Sequence, residues 1–306
     1  MGSDTNKKVV LITGASTGFG RLASEALAGR GHTVFATMRD PAGRNATHAE
    51  ALRSFASSEG RALHVLDLDV TQESSVNRAI QQALDDAGRI DVVINNAGIA
   101  AIGMTEAYTV EQIQQLFDVN VFGVARVNRA VLPAMRRQRS GLLIHVSSVA
   151  GRLVAPCMAA YCASKFALEA IADAYRFELS PFGIDSVLVE PGIHKTPILE
   201  KFLPAADQAR LAGYGSVADY AARIQAVFDA ANGAPETPGP EPVVEAFVRL
   251  IEMPAGTRPF RTVPTAGVQS LIDPYNASAD EIRQAVAQMF NVPELLVLQQ
   301  AASTSK

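Results

Sequence analysis

The stretch V-V-L-I-T-G-A-S-T-G-F-G, residues 9–20, sets a four-residue apolar run directly against a glycine-rich turn and the start of an amphipathic segment. An apolar run this short, with no polar alternation, reads as a strand buried on both faces. Gly14 permits the sharp turn after it, Gly18 and Gly20 let backbone and helix approach a pyrophosphate, and Ser16, Thr17 and Phe19 lie in the same turn. The following helix offers free N–H groups to an anion at its N-terminus. Strand, glycine turn and helix in this order form the context in which such glycines bind a dinucleotide.

The same alternation continues outward. Apolar runs recur at 33–37, 62–66, 91–94, 142–146 and 184–189, and helical spacing of apolar residues fills 18–30, 46–59, 72–87, 109–138 and 157–181. Gly31, Gly60, Gly88 and Gly183 stand where helices should stop. The expectation is an α/β fold, a doubly wound parallel sheet of Rossmann type. It forms one domain over 1–306, with a cofactor-binding and catalytic core at 7–200 and a substrate-side lid and C-terminal extension at 197–306. After Pro191 the pattern loosens into helical pieces over 197–231, a Pro/Gly loop at 232–242, a helix at 243–252, a last strand within 258–263 and an amphipathic segment at 278–290. A polar tail from Gln299 is expected to fray.

With 306 residues, 48% of them hydrophobic and 19% charged, the chain can bury a large core. A net charge of −4 and the lack of a Lys/Arg block argue against nucleic acid or an anionic membrane as partner. No apolar stretch reaches a signal segment or membrane span, so the expected location is cytoplasmic. Cys157 and Cys162 lack metal or redox spacing and read as reduced thiols; the scattered histidines indicate no metal site.

The chemistry points to Y-C-A-S-K. Tyr161 and Lys165 are one helical turn apart, so on a helix they share a face, and Ser148 lies thirteen residues upstream. A free tyrosine titrates near 10, and bringing it to neutral pH takes about 4 kcal/mol, which a neighbouring cation in a low-dielectric pocket can supply. Lys165 is the expected cation. At the end of the second strand, neutral Met38 and the fork of Arg39 favour a 2′-phosphate and hence NADP(H). The alternative makes Arg39 an ordinary surface residue and gives Asp40 the ribose.

On these residues the chain resembles the short-chain dehydrogenase/reductase family: T-G-A-S-T-G-F-G, Asp69 after the third strand, N-N-A-G (95–98), Asn120, Ser148, Tyr161 with Lys165, and P-G-I-H-K-T (191–196). A-T-M-R-D and Y-C-A-S-K-F-A-L-E resemble the branch of 17β-hydroxysteroid and retinol dehydrogenases. The resemblance implies a tetrad. Tyr161 would give a proton to a carbonyl oxygen that Ser148 also bonds, Lys165 would lower the Tyr161 pKa and grip the nicotinamide ribose, and Asn120 would hold a connecting water. It also implies cofactor contacts from Asp69, Val70, Asn96, Ala97, Gly98, Pro191, Gly192, Ile193 and Thr196, with Tyr161 and Lys165 reaching the cofactor too. His194 could line the substrate entrance or face solvent, and His145 reads as a core histidine.

The implied activity is an NADP(H)-dependent carbonyl reductase or alcohol dehydrogenase, interconverting a hydrophobic ketone or aldehyde and its alcohol. Phe202, Leu203, Tyr214, Tyr220 and Phe228 make the segment after Pro191 apolar and suit a lid, with a packing appendage as the alternative. A 3-oxoacyl-carrier-protein reductase would want basic residues at the mouth; a non-catalytic NADPH sensor should lack a tetrad member. The helices at 109–138 and 157–181 are those the family uses to pair, which implies a homodimer or homotetramer.

Overall fold

The computed structural model describes residues 7–299, so most of the tail expected from Gln299 lies outside the described residues. Seven strands form one parallel sheet: β1 (Val9–Ile12), β2 (Thr33–Met38), β3 (Leu63–Asp67), β4 (Val92–Asn95), β5 (Gly141–Val146), β6 (Ile184–Val189) and β7 (Arg261–Thr262). Their order is β3-β2-β1-β4-β5-β6-β7. Leu11 sits between Phe35 of β2 and Val93 of β4. The direction of winding reverses between β1 and β4, and there the C-terminal strand ends open a crevice.

Alternation along each strand explains why these runs are apolar on both faces. Val10 and Ile12 pack toward α1 (Gly18–Gly29), α2 (Ala46–Ser58) and α9 (Glu241–Glu252), whereas Leu11, Phe35 and Val93 pack toward α3 (Glu73–Ala87) and α5 (Gly123–Gln138). Two helical layers thus keep water from both faces of one sheet, and the chain folds as a single domain. The four glycines expected to stop helices all have positive φ, from 59° to 86°.

Three expectations need correction. The helix expected over 109–138 is broken into α4 (Val110–Phe117), a π-helical turn at Asp118–Phe122, and α5. The widened turn holds Asn120 inward on the backbone of Ile99, and Arg126 reaches back to Asp118 across it, 2.7 Å from its carboxylate. The next helix, α6, spans Ala159–Glu178 rather than 157–181, because Cys157 is in the left-handed region (φ 59°). The segment expected at 278–290 belongs to a 24-residue helix, α10 (Ala266–Met289), which carries Pro274 inside it. The pieces within 197–231 include α7 (Gln208–Gly213) and α8 (Asp219–Gly233); neither buries a single residue.

Among the described residues no helix is long and apolar enough to cross a membrane, and no group of His, Cys, Asp or Glu is placed to hold a metal ion. Both cysteines are free.

Candidate functional site

A cleft of about 690 Å³ lies over the C-terminal strand ends. Of the residues the sequence singles out for cofactor or chemistry, Gly20 and Asn120 sit behind its wall, Asp40 stays out of it, and the rest line it. At Gly14, φ is +69° and an added Cβ would stand 2.9 Å from Ala97 Cα, so the turn tolerates no side chain. Gly20 has a different task from the expected one: a Cβ there would meet Asn96 Nδ2 and the Gly14 carbonyl at 2.6 Å. It lets the helix press on the turn. Asn96 closes the arrangement, donating from Nδ2 to the carbonyls of Thr13 (2.9 Å) and Gly14 (3.0 Å), while Thr13 Oγ1 accepts from the Asn96 and Ala97 N–H groups.

The turn fits a dinucleotide pyrophosphate. Thr17 at the start of α1 makes no side-chain cap, and the first turn carries no acidic residue. Its leading N–H groups therefore remain available to an anion, with the helix dipole behind them. At the other end, after β2, Arg39 and Arg44 both line the cleft. Asp40 does not: with φ at +48° it turns into its own loop, and its Oδ2 accepts the Arg44 N–H at 2.9 Å. Asp69 lines the cleft with one oxygen already taken by Thr71, whose N–H and hydroxyl donate to it.

Tyr161, Ser148 and Lys165 converge from α6 and the end of β5. Burial pushes the Tyr161 phenol up to about 12; a hydrogen bond with Ser148 pulls the other way and Cys162 adds to the rise. In the chain alone, the lowering expected from Lys165 does not prevail. Its Nζ is committed to the Val146 carbonyl at 2.8 Å and lies 5.8 Å from the centre of the tyrosine ring. Burial pulls Lys165 down to about 8, against Glu169 one turn further along the helix. Ser147 is spoken for. Its hydroxyl donates to buried Glu169 at 2.8 Å, which leaves Ser148 as the serine beside Tyr161.

Asn120 is 1% exposed, accepts from the Ile99 N–H and donates to the Ile99 carbonyl and to Ser164, all within 3.0 Å. Gly98 stands beside both this amide and Lys165: a Cβ on it would be 3.3 Å from Asn120 Oδ1 and 3.8 Å from Lys165 Nζ.

The substrate-side wall is apolar, from Ala150, Leu153, Ala155, Met158, Ile198, Phe202 and Phe228, with the two phenylalanines edge to face at 5.2 Å. Tyr214 and Tyr220 do not reach it. Tyr214, at the end of α7, donates to Glu106, and Tyr220, in the first turn of α8, is half exposed. His194 does not face solvent, one of the two placements considered for it: it lines the cleft and is 2% exposed. His145 is fully buried, as expected of a core histidine. Arg44, Asn45 and the Thr13 hydroxyl were not anticipated; the basic residue just after the P-A-G turn was the available signal for Arg44.

A family model described as short chain dehydrogenase matches residues 8–207. Human 17-beta-hydroxysteroid dehydrogenase type 1 is 35% identical over 265 residues, covering 84% of this chain and 77% of that protein. Human retinol dehydrogenase 5 is 40% identical over 205 residues, covering 64% and 61%. A short-chain dehydrogenase structure from Streptomyces avermitilis superposes with a TM-score of 0.73 at 29% identity, covering 93% of this chain and 98% of that one. The order of motifs, the parallel sheet and these likenesses agree: the chain is an oxidoreductase of the short-chain dehydrogenase family.

Proposed function

We propose that the protein is an NADP(H)-dependent carbonyl reductase or alcohol dehydrogenase acting on a hydrophobic ketone or aldehyde and the corresponding alcohol. The observation that carries this reading is the make-up of this cleft. Two arginines stand at its adenosine end, Tyr161 with Ser148 at its middle, and an apolar wall closes the other side. Asp40, the residue that would favour NAD(H), has its carboxylate folded into its own loop. When bound, the nicotinamide supplies or accepts the hydride.

The chain's own residues handle the oxygen and the proton. In reduction Tyr161 gives its phenolic proton to the substrate oxygen, and Ser148 donates a second hydrogen bond to the same atom, which stabilises the charge that develops there. Burial keeps the phenol protonated at neutral pH, so the proton it would give is in place. Lys165, whose Nζ donates to the Val146 carbonyl in the chain alone, would hold the nicotinamide ribose when the cofactor is bound, while Asn120 is pinned on Ile99.

The 197–231 segment acts as a lid. Leu203 anchors it through its N–H to the Ala100 carbonyl at 2.8 Å, and α8 buries no residue, so that closing over an apolar substrate has little packing to disrupt. Exposed Phe122 and Phe166, in the segments the family uses for pairing, support a homodimer or homotetramer. The test is a turnover screen of the purified protein with NADPH and NADH against ketones graded from small keto esters to steroids and retinal. Activity confined to small polar ketones would overturn the hydrophobic-substrate reading.

A further inference from the structure

His194 makes contacts that hydride transfer does not call for. Its Nδ1 lies 2.7 Å from the Gly239 carbonyl in the loop between α8 and α9, and its Nε2 lies 2.6 Å from Thr265 Oγ1, just before α10. The Gly192 N–H donates to that same Thr265 oxygen at 2.8 Å. A carbonyl only accepts, so Nδ1 carries the proton; Nε2 then presents its lone pair, and the threonine hydroxyl donates to it. The bonds run one way: Gly192 N–H to Thr265, Thr265 O–H to His194, His194 N–H to Gly239. Each donor is used once.

We infer that His194 is a positioning residue that locks the 191–196 loop, on the cofactor side of the cleft, to the insertion on the substrate side. Three further observations agree. The ring of Phe19, in the glycine-rich turn, meets the imidazole edge to face at 5.7 Å, so His194 touches both walls of the cofactor cleft. The neighbouring Lys195 N–H donates to the Pro238 carbonyl at 2.9 Å, which doubles the tie between the two loops. At Gly192 an added Cβ would lie 3.1 Å from Thr265 and Val268, so the loop rests closely on the start of α10. Protonating the imidazole would turn Nε2 into a donor facing a hydroxyl that already accepts from Gly192. Burial also holds the ring neutral, against the pull of the Gly239 bond and Glu241.

The inference rests on the proposed binding of NADPH along the 191–196 loop. It is tested by measuring the NADPH dissociation constant, from nicotinamide fluorescence, and the Tm for wild type, His194→Asn, His194→Gln, Thr265→Val and the His194→Asn/Thr265→Val pair. Asn keeps a donor near Nδ1 and loses the acceptor for Thr265; Gln can keep that acceptor. His194→Asn and Thr265→Val should each weaken NADPH binding about fivefold, the worth of one neutral hydrogen bond, and the pair should weaken it no further. His194→Gln, which keeps the Thr265 bond and gives up the Gly239 bond, should likewise weaken NADPH binding about fivefold. Lower Tm values with unchanged NADPH affinity would overturn the inference and leave a purely structural histidine, as would additive losses. A wild type that binds NADH but not NADPH would fault the cofactor reading alone, and the same series read with NADH would then decide the role of His194. A wild type that binds neither cofactor would sink both.

Discussion

Replacing Arg39 and Arg44 separates a phosphate site from a merely basic surface. Both side chains line the adenosine end of the cleft, and both are exposed. A hydrogen bond to a charged group is worth about 1.5–3 kcal/mol where it is shielded; competition with water at these positions favours the lower end, or about tenfold in affinity for each arginine. Arg39→Ala or Arg44→Ala should therefore raise the NADPH dissociation constant about tenfold and the double variant about a hundredfold, while NADH binding changes by no more than about twofold. A carboxylate introduced to favour NADH belongs at position 39. Met38 is 2% exposed and packs in the core beneath β2, where an aspartate would be a buried, unpaired charge. Titrating both cofactors against the three variants supplies the numbers. Equal losses for NADPH and NADH, or a wild type that prefers NADH, would refute the 2′-phosphate argument.

Two further outcomes follow from single side chains. Phe228→Ala should raise KM for bulky ketones several-fold more than for small ones, because it removes half of the edge-to-face pair with Phe202, whereas Tyr214→Ala should do neither; equal losses on large and small substrates would make the segment a packing appendage. Burial holds His145 at about 3, far below an exposed histidine near 6.5, so between those values the unfolded chain binds the extra proton. Its contribution to stability is complete above about pH 6.5 and is lost as pH falls toward 3, with a slope of at most about 1.4 kcal/mol per pH unit. Urea unfolding of wild type and His145→Leu across pH 4–7 should show a shallower slope in the variant, and parallel slopes would contradict the assignment.

Strands were legible because an apolar run such as 9–12 must bury both faces, and β1 through β6 appear where those runs stand. The edge strand β7 keeps only two residues of the stretch expected at 258–263. Long-range bonds were not legible. The π turn at Asp118–Phe122 holds Asn120 on Ile99, 21 positions earlier, and His194 is buried by partners 45 and 71 positions later. The four-residue spacing placed Tyr161 and Lys165 on one face correctly, yet it said nothing of the Val146 carbonyl that draws the ammonium away from the phenol. Arg44 was missed because its place depends on how Asp40 folds the 40–45 loop.

The central claim is that Tyr161 is the proton donor at a hydride-transfer site, and Tyr161→Phe measures it most directly. The phenol supplies a proton and no part of the glycine-rich cradle, so the variant should lose all but a few per cent of kcat with the best ketone from the screen, while its NADPH dissociation constant stays within about twofold of wild type. Retention of more than about a tenth of the wild-type kcat, with cofactor binding intact, would contradict the account.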